Sequence, residues 1–544
     1  MRAIIDGYRR NGVPADLVAA AKLREVSQLE FSGNSIEGLA NEWSQAVAVQ
    51  NLRSPDDMIA RFNAVSEADV NRVLRANLDN RSAVAAYAVP KNSGALSAGG
   101  GALAKENNTL APSKHEPLPV WAQHVLDRLQ VPAQTLAPAD MRLPNGIRLI
   151  VQPEHITHTV IVAGGIRNDP AMQEPIGEEG VDGVTAALFP YGTTTYDRIA
   201  FQRELDSIAA DASAGTEFGL RVLSANFDRG LQLLADEELH PAFDPRAFAI
   251  VKQQTIGVVT GEVTSPDHLA EVALAKALYP KGDPEQRFAS PGSVGALTIA
   301  NVKAWYASAY RPDLTTIVVI GDTTPDVARA EVEKYFGTWS AAGPKPDIEP
   351  PPVPPNAAAA IHVPANGRVQ ASVQLVETMG IVRTDPAWPL LRVADAVLTG
   401  GFYSSLLYHN LREVHGYVYN VSSAFEAGEV SSSFEVSYGC DPKNVSPAQG
   451  QVLAVLRQLQ QSPIEPERLL RSKALLMGAL PIRLASYSGV ANQLLTYAGD
   501  DLPLDQNVVD ARAELDASAE SIRAALAKYV RPDAFVRVVV GPGP

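Results

Sequence analysis

Nine histidines and one cysteine are the side chains of this 544-residue sequence best suited to hold a metal or attack a bond, and their spacing withholds both chemistries. No histidine pair stands as His-x-x-Glu-His, the arrangement that puts two imidazoles and a general base on one helix face around zinc. His155 and His158 follow the apolar run Ile147 to Val151, which reads as strand and hairpin, and no cysteine or clear carboxylate partner accompanies them. A structural role outweighs a metal site there. His409 and His415 flank Arg412, and His415, in the turn before Gly416, is within reach of a ligand, with surface packing as the default. Cys440 reads as a strand-end residue, since nothing adjacent would lower its pKa. Gly99-Gly100-Gly101 and Gly164-Gly165 lack the Lys-Ser/Thr or the strand-loop-helix setting of a phosphate loop.

Bulk properties narrow the class. Hydrophobic residues at 46% and charged residues at 20% describe an ordinary globular chain, and its length implies roughly three or four domains. The net charge of -15 is spread along the sequence without a basic stripe, which argues against nucleic acid as a partner. A lone cysteine rules out an intrachain disulfide and a cysteine-based zinc knuckle. No run of 18 apolar residues exists, so no membrane insertion is expected. The amphipathic start, Met1 to Arg10, lacks the features of a signal peptide; compartment stays open between periplasm and cytoplasm, because the chain reads as beginning inside a domain.

The elements that would position any site recur three times. Ser66 to Val70, Thr298 to Val302 and Ser518 to Ile522 each place a hydroxyl residue at a helix N-cap with an aliphatic residue four positions on. A strand composition follows: Ala83 to Val89, Thr316 to Gly321 and Val536 to Gly541. In the second and third copies Arg311-Pro312-Asp313 and Arg531-Pro532-Asp533 intervene, where proline must end the helix. Glycine- and proline-rich stretches separate the copies, the second with the composition of an extended polyproline spacer. The expected organisation is 1–91, the C-terminal part of a truncated unit opening on a helix from Val13 to Leu29; 92–135, a flexible linker; 136–341, a complete unit; 342–357, a proline-rich linker; and 358–544, a second complete unit.

Gly400-Gly401-Phe402-Tyr403-Ser404-Ser405-Leu406, Leu411-Arg412-Glu413, Gly416-Tyr417-Val418-Tyr419 and Val421-Ser422-Ser423 resemble the C-terminal substrate-gripping segment of the pitrilysin/insulysin family, the inverted-motif zinc peptidases. The resemblance covers nearly all of the chain outside the linkers. It implies an α+β fold of repeated lobes, each a mostly antiparallel sheet with helices packed on one face, as in LuxS and mitochondrial processing peptidases. It further implies the end of the family's second unit, a zinc-free third unit and the fourth unit. Gly180 to Thr193 corresponds to the metal-binding run of family first units: Gly183 stands at the first histidine, Ala186 at the glutamate and Ala187 at the second histidine. None of these side chains can bind zinc or take a proton. Val258 aligns with the third ligand, and Glu262, a few residues late, reads as a surface helix residue.

In the fourth unit Arg412 and Tyr419 match the family's Arg and Tyr seven residues apart, which reach the substrate held at the first unit's zinc. A guanidinium fork and a phenol can hydrogen-bond a peptide backbone and a developing oxyanion. Family members often have Arg in a Ser-Arg-Leu run where this chain has Ser405-Leu406. The implied function is the substrate-binding part of a zinc endopeptidase, inactive alone, binding no zinc itself, with the metal on an upstream region or on a zinc-bearing family subunit. The alternative is a non-catalytic structural or partner subunit of a processing-peptidase-like complex.

Overall fold

The computed structural model describes residues 2–78, 83, 84, 86, 120–134, 136–401, 404–428 and 430–542. The N-terminal segment is helical: α1 (Arg2–Asn11), α2 (Ala15–Ser32), α3 (Ile36–Ser44), α4 (Pro55–Ala64) and α5 (Glu67–Asn77). Pro14 occupies the N-cap of α2, which is why that helix starts later than Val13. The strand expected at Ala83 to Val89 falls mostly outside the described residues.

Two sheets follow. The first contains β1 (Ala139–Arg142), β2 (Arg148–Pro153), β3 (Thr159–Ile166), β4 (Asp211–Ser213), β5 (Glu217–Leu223) and β6 (Thr315–Gly321), in the order β1-β2-β6-β3-β5-β4. The second contains β7 (Ala359–Pro364), β8 (Ala371–Met379), β9 (Val418–Ala427), β10 (Ser432–Cys440) and β11 (Val536–Gly541), in the order β7-β11-β8-β10-β9. Apart from β1 the connectivity is identical. In both, the last strand inserts between the first two, parallel to the first and antiparallel to the second.

The helices repeat as well. In the first unit α6 (Val181–Ala186) precedes α7 (Pro245–Glu262), α8 (Pro266–Leu278), α9 (Pro291–Ala296) and α10 (Ile299–Ala309); in the second, α11 (Pro466–Arg483), α12 (Tyr487–Gly499), α13 (Gln506–Asp516) and α14 (Ala519–Tyr529) correspond to α7 through α10. The N-terminal helices α2 to α5 repeat the same series. Helices α5, α10 and α14 start with reciprocal capping boxes at Ser66, Thr298 and Ser518, each satisfying backbone N–H groups that the first turn leaves orphaned.

Strand alternation gives each sheet two apolar faces. One face packs on the unit's own helices: Leu149, Val151, Val160, Val162 and Val319 in the first sheet, Val373, Leu375, Phe434 and Val436 in the second. The opposite face is covered by a helix from the other unit, an arrangement that local periodicity does not reveal. Ile150, Ile161, Val318 and Ile320 pack on Val490, Ala491 and Leu494 of α12, while Val376, Val536 and Val538 pack on Ala270 and Leu278 of α8. The two units thus exchange helices reciprocally.

The Arg-Pro-Asp turns tie down the connector between them. Arg311, 2% exposed, pairs with Asp313 through Nε and Nη2 at 2.9 Å and donates Nη1 to the carbonyls of Ala342 (3.0 Å) and Pro344 (2.8 Å). Arg531 donates Nη1 to the carbonyl of Asn356 at 2.8 Å and Nη2 to Asn356 Oδ1 and the carbonyl of Thr378, both at 3.0 Å. Its backbone N–H is held by the buried carboxylate of Glu377.

Candidate functional site

Arg412 lies in a π-helical turn, His409–Val414, and Tyr419 is the second residue of β9. A second π-helical turn, Ala396–Gly400, precedes the glycine pair. Such wide turns are uncommon and are frequent at functional sites. Gly416, at φ +62°, takes the left-handed conformation that lets the chain reverse from the helical turn into β9, and Tyr417 N–H closes that reversal on the Leu411 carbonyl at 2.8 Å. Phe402 and Tyr403 lie outside the described residues.

The reversal brings Arg412 and Tyr419 together. Arg412 Nη1 donates to the Tyr419 carbonyl at 2.6 Å, and the guanidinium sits 5.9 Å from the centroid of the Tyr408 ring. The Tyr419 phenol donates to Asp441 Oδ1 at 2.9 Å, and that bond to a carboxylate is the main reason its pKa is raised, which keeps it protonated. Tyr419 is 37% exposed, so its phenol edge faces solvent. Behind the pair, Ser423 of β9 donates to Asp395 Oδ1 at 2.5 Å and its N–H donates to Thr399 Oγ1 at 3.2 Å, fixing the Ala396–Gly400 turn to the sheet. Burial pushes Asp395 up to about 6, with Ser423 acting against that shift.

Sequence reasoning missed Asp441 and Tyr408. The only signal for Asp441 is a polar residue directly after a strand-end cysteine, which is too common to single out.

The other candidates separate from this pair. His415 stacks on Tyr417 with centroids 5.0 Å apart, and His409 Nδ1 is 2.6 Å from Glu413 Oε2. His155 Nδ1 is 2.8 Å from Asp322 Oδ1 across a loop, and His158 is paired loosely with Glu30 at 3.7 Å. Cys440 is buried at the end of β10 and its thiol is pushed up to about 11, mainly by burial.

Gly183 and Ala186 lie on α6, with Ala187 at its C-cap; Gly183 and Ala187 are exposed and Ala186 is half-buried. A Cβ on Gly183 would meet nothing within 4 Å, so a side chain has room to leave the helix there. Val258, on α7, is 58% exposed, and Glu262 ends that helix on the surface. These positions do not fit a zinc ion, and no group of three His, Cys, Asp or Glu side chains suited to a metal occurs among the described residues.

A cleft of about 1190 Å³ lies elsewhere, between the β3 and β5 part of the first sheet and α12, lined by Arg148, Arg167, Glu217, Arg221 and Asp501 among others. Arg412 and Tyr419 do not line it. They stand on an open surface of the second unit.

Residues 296–476 match the family model described as the peptidase M16 inactive domain. In that segment the chain is similar to the zinc-free domain of M16 metallopeptidases. It is 23% identical over 354 residues to the uncharacterized zinc protease YmxG of Bacillus subtilis (strain 168), covering 63% of this chain and 83% of the relative. It is 24% identical over 388 residues to the uncharacterized zinc protease Rv2782c of Mycobacterium tuberculosis, covering 67% and 84%. Among solved structures, a peptidase M16 inactive domain from Pseudomonas fluorescens superposes with a TM-score of 0.68 at 23% identity over 75% of this chain and 98% of that one. The periplasmic protease PqqL of Escherichia coli has a TM-score of 0.64 at 14% identity, covering 99% of this chain, which spans 62% of PqqL. No helix among the described residues is long and apolar enough to cross a membrane.

Proposed function

We propose that this chain supplies the peptide-gripping surface and zinc-free scaffold of a pitrilysin-type endopeptidase whose metal is carried by another M16 unit. In this reading residues 358–544 carry the grip, residues 136–341 form an inactive peptidase-like unit, and residues 1–91 are the end of a further unit. The observation that carries it is the Arg412/Tyr419 pair, held by neighbouring backbone and Asp441 and still open to solvent.

The pair presents what an extended peptide needs. Arg412 spends only Nη1 on the Tyr419 carbonyl, and Nε and Nη2 make no hydrogen bond among the described residues, so both are available to a peptide carbonyl or a developing oxyanion. Tyr419 donates its proton to Asp441, and its oxygen, with the Gln370 amide beside it, has a remaining lone pair to offer a peptide N–H. Donors and an acceptor side by side match the alternating polarity of a β-conformation backbone. The loss of donor atoms at Gly183, Ala186, Ala187 and Val258 supports a scaffold role for the preceding unit.

The test is peptide cleavage by the purified chain combined with a zinc-bearing M16 partner. Arg412→Ala and Tyr419→Phe should each lower kcat/KM about tenfold or more, the loss of roughly one charge-assisted hydrogen bond. Rates unchanged in both variants reject the grip and leave the second reading, a structural partner subunit, which the match to an inactive domain also supports.

A further inference from the structure

A cavity of about 310 Å³ opens where three parts of the chain meet: the turn from α2 into α3, the residues leading into β1, and the helices α11, α12 and α13. Backbone bonds make the joint around it. Ile36 N–H donates to the Ala485 carbonyl at 3.0 Å, Tyr487 N–H donates to the Asn34 carbonyl at 3.1 Å, and Ser35 and Ser486 form an isolated antiparallel bridge. The volume falls at the lower end of the range for small-molecule sites.

Much of the wall is aliphatic, from Leu39, Leu136, Ile320 and Val490. Set into it are amide side chains with unused hydrogen-bonding atoms. Asn34 is 7% exposed; its Oδ1 accepts the Thr157 and Thr159 hydroxyls, while its Nδ2 has no partner among the described residues. Asn507, in the first turn of α13, is 5% exposed, and neither its Nδ2 nor its Oδ1 has a partner there. Gln134 Oε1 is buried and unpaired as well. An unpaired buried amide costs free energy that an apolar side chain of similar size does not.

Two amide nitrogens and two amide oxygens thus border an apolar space. No basic side chain lines it among the described residues, and its one carboxylate, Glu154, already accepts Gln152 Nε2 at 3.1 Å. An anion would face Glu154 with no cation to pair it, and a cation would leave the amide nitrogens unserved. A neutral carboxamide offers N–H to the oxygens and C=O to the nitrogens at once.

We propose that this cavity is a binding site for a compact neutral molecule with an aliphatic body and a carboxamide or lactam head. The head exchanges hydrogen bonds with the Asn507 side chain, and the body fills the space beside Leu39, Leu136 and Val490. An occupant spans the joint, so it fastens the N-terminal helices to the two-unit body. The site is separate from the Arg412/Tyr419 pair, and its test involves no cleavage.

The experiment is calorimetric titration of the full chain with cyclohexanecarboxamide, set against cyclohexanecarboxylate and cyclohexylamine as charged probes of the same body. The carboxamide should saturate a single site, and the charged probes should bind about tenfold or more weakly. Asn507→Leu should weaken the carboxamide by about tenfold or more without lowering Tm, because it deletes only unpaired atoms. Gln493→Leu, which removes an unpaired amide nitrogen outside this cavity, should bind as wild type does. Hydrogen exchange at Ile36 and Tyr487 should slow when the carboxamide is present, which locates the site without any variant. Absence of saturable binding, equal or tighter binding of either charged probe, or undiminished binding by Asn507→Leu overturns the assignment. Protection that appears only away from this joint does the same.

Discussion

Glu238→Gln should remove a large part of the pH dependence of this protein's stability. Glu238 is 0% exposed; its Oε2 accepts the Gly215 N–H at 2.9 Å and its Oε1 has no partner. Burial pushes its pKa up to about 8, with the Gly215 bond opposing the shift. Between about 4.5 and about 8 the unfolded chain has released this proton while the native protein keeps it, so stability is highest at the acid end and falls as pH rises through the window. One retained proton is worth about 1.4 kcal/mol per pH unit, or on the order of 4 kcal/mol between pH 5 and 8. For a unit of about 200 residues that is on the order of 10 °C in Tm. Glutamine keeps an oxygen for Gly215 and cannot ionise, so its calorimetric Tm should match the wild type near pH 5 and exceed it at pH 8. A smaller slope should persist, because burial also raises the neighbouring Glu237 to about 7. Parallel Tm profiles for the two proteins would show that Glu238 is not held protonated by its surroundings.

Arg531→Ala leaves Glu377, at 0% exposed, without its cation and frees three carbonyl-type acceptors; it should destabilise the second unit by about 3–5 kcal/mol in chemical denaturation, and Arg531→Lys should recover only a small part. The triple variant Gly183→His, Ala187→His, Val258→Glu should gain a zinc-dependent rise in Tm that chelation reverses, since two histidines one helical turn apart then share a face and Gly183 has room for a side chain; wild type should show no such rise. Cys440, buried with its thiol pushed up to about 11, should react with a thiol reagent at least a hundredfold more slowly in the folded protein than in denaturant, and equal rates would contradict its burial.

Local chemistry was readable wherever one residue type answers one local demand. The hydroxyls at Ser66, Thr298 and Ser518 cap helices because an N-terminus needs an acceptor, and the β-branched runs after Arg311-Pro312 and Arg531-Pro532 are strands. Arg412 and Tyr419 were legible as a spacing, and the left-handed turn at Gly416 explains how seven residues bring them into contact. What was hidden is non-local. The helix exchange between units depends on which sheet faces which helix, and Ile150 and Leu149 look alike in a strand that is apolar on both sides. The partner Asp441 reaches Tyr419 across a sheet edge, at a separation that no motif encodes.

Arg311 and Arg531 grip opposite ends of the same proline-rich connector, one on Ala342 and Pro344, the other on Asn356. With α8 and α12 each wedged into the other unit, the connector has no slack end about which the two sheets could swing. The described residues of 136–542 should therefore travel as one stiff lever, with neither sheet able to swing against the other.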